Sequence, residues 1–436
     1  MVLMDLLVDI LYALPVYQSF ALALLLFLNS KATGSRTRRI MAWFQLSGAV
    51  YFSFNFLYAV HFFSILKVLY AVILPVVLVF LPVFYLYLLA ATTPGFRFSK
   101  RHFLHFLPSL LLFAANFPFM LISENEKLSY LMSGFSITGG TGVSDYLLAV
   151  YITGLFGLLP LQLLYYTRET IRLYRKHKVY ILNNYSYTEN ISLNRIVTMA
   201  VCLVVFFISN QILYLSGLNH SFFSPVVYNL MMLLIMLFTG YYAMVQKDLK
   251  SSADSVQAAN QAVLHSVTSA PGSAAHENAH TNHADSAETS IPGKPFRDYP
   301  EEKLPAFTDN TLLKYAGSPL SGSRKIEILE ELEQLMSRDK LYTKEDLCID
   351  DIAIQLKTNA KYVSQVINET YGKNFYHYIN AFRIDAAKNL LLSDGLKLYS
   401  ITGIAKMVGF GSKSSFNASF KRHTGLTPTE YARSRQ

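Results

Sequence analysis

The chain has little cysteine, little charge and no basic side chain before Lys31. Two cysteines in 436 residues exclude a disulfide framework. Cys202, in an apolar run, and Cys348, in a polar one, are therefore expected to be free thiols in a reducing compartment. The lack of early Lys and Arg excludes the basic n-region that opens a secretory signal peptide. Charged residues make up only 15% of the chain against a hydrophobic share of 52%, with 31 Phe and 29 Tyr. That balance is foreign to an ordinary soluble domain. Paired carboxylates, metal-spaced His and Cys, a nucleophile elbow and a phosphate loop are missing from the polar stretches. The reading is accordingly non-enzymatic, with no cofactor and no metal.

What is present divides sharply near Lys250. Before it, seven stretches reach the roughly 20 apolar residues that a bilayer crossing requires: about 6–28, 40–63, 66–91, 103–122, 146–167, 196–217 and 225–245. Lys and Arg gather in alternate connections: Lys31, Arg36, Arg38 and Arg39; then Arg97, Lys100 and Arg101; then Arg168, Arg172, Arg175, Lys176, Lys178 and Arg195. The other connections hold only Lys67 and Lys127. Short basic loops stay cytoplasmic, so the expected topology has seven spans, an outside N-terminus and an inside C-terminus in a bacterial inner membrane. Gln18, Asn55, His61, Asn116, Gln162, Asn210, Gln211 and Asn229 fall within the spans. Such groups serve either as interhelical packing contacts or as the lining of a ligand pocket. Asp9 is the only carboxylate in a span, a poor basis for an ion pathway, and the last span lacks the lysine that a retinal Schiff base needs. The glycines of "SGFSITGGTG" have no strand before them and no Lys-Ser/Thr after them, so they read as a flexible loop.

Residues 251–323 shift to Ser, Ala, Asn, Pro and Gly without apolar periodicity, the composition of a disordered linker. A flexible chain of this length spans roughly 45–50 Å end to end. His276, His280 and His283 fall in this tract and lack the supporting shell of a metal site.

Periodicity returns in residues 324–436. "SRKIEILEELEQLMSRDK" predicts a helix with Ile326, Leu329, Leu332, Leu335 and Met336 on one face and Ser323 as its cap. Two short helix–turn–helix units follow, at about 350–371 and 402–424, joined by a longer helix whose rigid part is Ile379 to Leu392. The units repeat one another: Ile352-Ala353 matches Ile404-Ala405, Val363 matches Phe416, Ile367 matches Phe420, Gly372 matches Gly425 and Tyr378 matches Tyr431. Gly409 suits a turn that needs positive φ. The fold class expected is all-α: a seven-helix transmembrane bundle over 1–250, a linker over 251–323 and a C-terminal all-α domain over 324–436.

The second unit carries Ile404-Ala405, Gly409-Phe410, Ser412, Ser415, Phe416, Phe420-Lys421, Gly425, Pro428 and Tyr431. In this pattern residues 324–436 resemble the DNA-binding domain of the AraC family of bacterial transcription regulators. Ala432 stands where an arginine commonly follows the tyrosine. The resemblance covers about a quarter of the chain and implies double-stranded DNA as partner. A homodimer on DNA is expected because one such domain binds weakly, and RNA polymerase is a further candidate partner. The greasy half would add the lipid bilayer and an unnamed signal ligand. A membrane transporter or membrane enzyme carrying a regulatory helix-turn-helix tail is the alternative.

Charge supports the resemblance independently. From Arg324 to Asp351 nine acids face five bases, whereas from Ile352 onward twelve Lys and Arg face four acids, 12 − 4 = +8. That is the footprint of a polyanion-binding surface. The second helix of each unit would enter a major groove. Lys361, Ser364, Gln365 and Asn368 in the first copy, and Ser414, Asn417, Ala418 and Lys421 in the second, are the expected base-facing residues. Lys357, Lys373, Lys413 and Arg422 are the expected phosphate contacts.

Overall fold

The computed structural model describes residues 2–132, 142–189, 191–194, 197–198, 201, 204–205, 208, 223–246, 249, 319–393 and 399–434. Most of the sixth expected span with Asn210 and Gln211, Cys202, the glycines of 133–141 and most of the expected linker with its three histidines lie outside the described residues. The fold is all-α, and among the described residues the only β pairing is one isolated bridge. The chain divides into two compact units, residues 1–177 with 190–249, and residues 178–189 with 250–436.

In the first unit α1 (Val2–Thr33), α2 (Arg36–Ala59) and α3 (Phe63–Thr92) run as three long helices. A 3₁₀ turn at Lys100–Phe106 leads into α4 (Leu107–Ala115) and α5 (Phe117–Leu121). Then come α6 (Glu124–Met132), α7 (Gly142–Ile152), a π segment at Thr153–Leu158 and α8 (Leu159–Asn184). After residues outside the description, α9 spans Phe223–Val245. Among the described residues five stretches are long and apolar enough to cross a membrane: Asp9–Thr33, Arg36–Ala59, Phe63–Thr92, Lys100–Leu121 and Asp145–Asn184. The apolar stretch Asn229–Val245 is shorter. Polar groups among these helices are used as packing contacts: Gln18 Nε2 donates to Leu233 O at 2.9 Å, and Gln45 Nε2 donates to Met236 O at 2.9 Å. Asn55 and Asn116 bond back to their own helices, at Tyr51 O and Leu112 O.

In the second unit α10 (Gly322–Ser337) precedes a 3₁₀ turn at Leu341–Thr343. The first helix pair is α11 (Ile349–Gln355) and α12 (Ala360–Tyr371), and α13 (Phe375–Leu392) is the connecting helix. The second pair is α14 (Ile401–Met407) and α15 (Lys413–Thr424), closed by α16 (Pro428–Arg433). The cap of α10 is Ser321, whose side chain accepts from Arg324 N, rather than Ser323. Its buried stripe is Ile328, Leu332 and Met336 at i, i+4, i+8, while Ile326 is 59% exposed. Ile328, Leu332 and Met336 follow at four-residue steps and so share a face, whereas Ile326, two residues from Ile328, lies on the opposite side of the helix.

Two hydrophobic cores form, one per pair. Ile352, Ala353, Val363 and Ile367 pack with Phe375, Tyr378 and Ile379 in the first, together with the stripe of α10. Ile404, Ala405, Phe416 and Phe420 pack with Ile384, Ala387 and Leu391 in the second. The N-terminal half of α13 thus serves the first core and its C-terminal half the second, which explains why the joining helix is long. Ser412 and Asn359 cap the second helix of each pair by accepting from Ser415 N and Tyr362 N. Gly372 and Gly425 end those helices in the left-handed region, at φ 63° and 76°, so the expected repeat extends to backbone geometry.

Gly409 is held at φ 95°. A Cβ there would meet Tyr342 O at 2.5 Å and Thr343 O at 2.8 Å, so both conformation and space demand glycine. Gly409→Ala is expected to destabilise the second unit by about 3 kcal/mol, read as a lowered urea midpoint of residues 319–436. An unchanged midpoint would show that the 342–343 loop moves aside freely.

Candidate nucleic-acid interface

The second helices of the two pairs start in the same way. Neither α12 nor α15 carries an acid in its first turn. α11, by contrast, has Asp350 and Asp351 in its own. Asp and Glu near a helix N-terminus stabilise by about 0.3–1 kcal/mol, so α12 and α15 forgo a common source of stability. Lys361 and Lys413 stand there instead, both exposed. Lys357, in the turn before α12, is exposed with φ 49°. Ser414, Ala418, Lys421 and Arg422 are exposed on α15, and Asn417 and Ser364 are half-buried. Beneath them Phe416, Ser419 and Phe420 are buried, as the spacing predicts.

Two expected base-facing residues do not point outward. Gln365 is 7% exposed and Asn368 6%. Gln365 Nε2 donates to Glu369 Oε1 at 2.9 Å, and Glu369 pairs with Lys325 of α10 at 2.7 Å. Its amide is thereby drawn toward the preceding helix, which packs against α12. Asn368 Nδ2 folds back on its own helix, donating to Ser364 O at 2.7 Å. Lys373 is also not the free surface ammonium expected. It is half-buried, and burial pushes it down to about 7 despite the opposing charge of Asp385.

A residue outside the expected site set lies at the centre of this unit. Arg383 of α13 is 1% exposed. Its Nε donates to Tyr342 O and its Nη2 to Lys344 O, both at 2.7 Å. Nη2 also donates to Ser186 Oγ at 3.0 Å, and Nη1 to Ser186 O at 3.2 Å, with Asn380 Oδ1 at 3.5 Å. All five N–H groups of the guanidinium are matched to an acceptor. Its charge also lies 5.5 Å from the ring centroid of Phe410, in the turn of the second pair. Burial lowers Arg383 to about 10, well above neutrality, so the charge persists. The signal was available in the sequence: Ile379, Arg383 and Ala387 stand at i, i+4, i+8, which puts the arginine on the apolar stripe.

Residues 352–434 match the family model described as a helix-turn-helix domain. Among curated proteins the chain is 36% identical over 85 residues to the melibiose operon regulatory protein of Escherichia coli (strain K12), covering 20% of this chain and 27% of that one. It is 31% identical over 103 residues to an uncharacterized HTH-type transcriptional regulator of Staphylococcus aureus (strain COL), covering 23% of this chain and 13% of the relative. Thus the chain spans only a small part of the curated relatives it matches. The solved C-terminal domain of AraT, a response regulator from Geobacillus stearothermophilus, matches at 29% identity, 27% of this chain, 90% of that one and a TM-score of 0.23. The C-terminal part of the chain is a double helix-turn-helix domain. It is of the AraC type, as its motif residues implied.

His377, at the start of α13, is buried, and its imidazole is held down to about 4 by burial and by the cations Arg422 and Lys373. The folded-state value lies below the unfolded value of about 6.5, so the unfolded chain takes up a proton first. Stability present above pH 6.5 is therefore expected to be lost as pH falls from 6.5 to 4, by on the order of 2–3 kcal/mol. Thermal unfolding of the domain should show this slope, and His377→Gln should make it shallower.

Proposed function

We propose that the chain is a membrane-tethered, sequence-specific DNA-binding transcription regulator. The observation that carries the reading is the pair of helices α12 and α15, each opening with an exposed lysine and no acid. Such ends suit a polyanion and the edges of bases in a major groove. Lys361, Ser364, Ser414, Asn417, Ala418 and Lys421 are the base-facing set. Lys357, Lys413 and Arg422 are the phosphate set, which fixes register. Lys373 joins the phosphate set only where a phosphate keeps it protonated. Gln365 and Asn368 belong to the packing of α12 in the DNA-free domain.

Residues 1–250 are the membrane and sensor part, residues 251–323 the linker and residues 324–436 the reader. The five apolar stretches of membrane-crossing length and the alternation of basic loops support an inner-membrane location with the reader in the cytoplasm. Within the first unit a cavity of about 300 Å³ lies among Phe44, Tyr51, Phe80, Tyr166, Met232 and Met236. Its size and apolar wall suit a small hydrophobic signal molecule. A homodimer on DNA and contact with RNA polymerase complete the reading, since one reader alone on a duplex binds weakly.

The test is selection of duplexes from a random pool by the intact protein, followed by a salt titration. Lys413→Ala should weaken all sequences alike and reduce the salt slope by about 0.9. Lys421→Ala should cost about 1–3 kcal/mol and relax the preference at one position. Failure to enrich any duplex, at any salt, would refute the reading.

A further inference from the structure

A short stretch from the other half of the sequence is built into the second unit. Lys178–Glu189, the end of α8 and the turn after it, belongs with residues 250–436. Its contacts are specific. Tyr185 forms an isolated antiparallel bridge with Cys348, just before α11. Ser186 N donates to Leu347 O at 3.1 Å, and Ser186 Oγ lies 2.8 Å from the same oxygen. Ser186 O accepts from Asn380 Nδ2 and from Arg383 Nη1, both at 3.2 Å. Every polar atom of Ser186 is thus bonded to the helix-turn-helix domain, and Tyr185 and Ser186 are both buried. Such complete pairing marks a fitted ligand, because buried backbone groups without partners are costly.

The stretch continues to the reading surface. Ser412 Oγ, which caps α15 by accepting from Ser415 N at 3.1 Å, lies 3.3 Å from Glu189 Oε1 and donates to it. Glu345 brings a second carboxylate to the neighbouring Gly411, where an added Cβ would meet its Oε1 at 2.5 Å. The N-terminal end of a recognition helix is the end that approaches base edges. Here that end is already faced by carboxylates, which repel phosphates and take up the positive pole of the helix.

We infer that residues 185–189 are an intrachain ligand of the DNA-binding domain, seated on Arg383, whose Glu189 occupies the groove-entering end of α15 and competes with DNA there. The loop after α8 is then the element through which the apolar helices govern the reader: a shift or rotation of α8 withdraws Ser186 and Glu189 together. This rests on the DNA-binding reading above, and a ligand can move such an equilibrium only by favouring the undocked state.

The test uses the intact protein in lipid nanodiscs and the duplex it selects from a random pool. Ser186 N bonding to Leu347 O makes Tyr185 and Cys348 a non-hydrogen-bonded antiparallel pair, the close-spaced kind that a disulfide can bridge. Tyr185→Cys, with Cys202→Ser to remove the other thiol, should cross-link to Cys348 under copper-phenanthroline. The locked protein should bind the duplex at least about tenfold more weakly than the same protein after reduction. Glu189→Gln, which keeps every hydrogen bond of Arg383 while removing one nearby negative charge, should bind about two- to fivefold more tightly than the parent. Absence of the cross-link, or a locked protein that binds as well as the reduced one, would overturn the inference. So would a Glu189→Gln variant with unchanged or weaker binding. If the reduced parent selects no duplex, the DNA-binding reading fails instead, and the cross-link still reports on docking.

Discussion

The second unit depends on one buried cation. Among the described residues no carboxylate lies within hydrogen-bonding distance of Arg383; backbone carbonyls, a serine hydroxyl and an amide oxygen take the place of water around it, and Glu189 and Glu345 act on it only through their charge. Removing a charge from water costs several kcal/mol unless every donor is satisfied. That demand fixes the positions of Tyr342, Lys344, Asn380 and Ser186 at once. The ring of Phe410 adds a face that attracts the cation. The loop ahead of the first helix pair, the turn of the second pair and the stretch after α8 therefore share one anchor. The two hydrophobic cores could form separately around α13, but Arg383 sets how the elements between them are held.

The two helix pairs are alike in construction and unlike in surroundings. Each second helix is capped by a polar residue and closed by a left-handed glycine. α12, however, has α10 packed beside it, and its Gln365 and Glu369 are drawn into a pairing with Lys325. α15 instead packs through Phe420 on Tyr431 of α16 and keeps Lys413, Ser414, Ala418 and Lys421 exposed. Its restraint is Glu189 at the cap. A repeated motif thus comes with two different controls, one built into the domain and one supplied by a distant part of the chain.

Much of this was legible in sequence because it is local or periodic. The paired Ile-Ala, Phe-x₃-Phe and Gly positions fall where they were expected, and Gly409 has the positive φ that its turn implies. Burial of Gln365 and Asn368 was not legible, since helical spacing places them on an outward face and only their partners show otherwise. α10 is capped two residues before the expected position, and Ile328 rather than Ile326 lies in the core. The docking of Ser186 on Arg383 joins positions 197 residues apart, and no periodic signal reaches that far. Arg383 itself could have been suspected from its place on an apolar stripe.

Amide hydrogen exchange on the intact protein, with and without its selected duplex, tests the joint between reader and control stretch most directly. Slow exchange at Ser186 without DNA is the predicted result. On adding the duplex, Ser186 should exchange faster while α15 becomes more protected. Protection of both together, or a Ser186 amide that exchanges freely in the absence of DNA, would contradict the account.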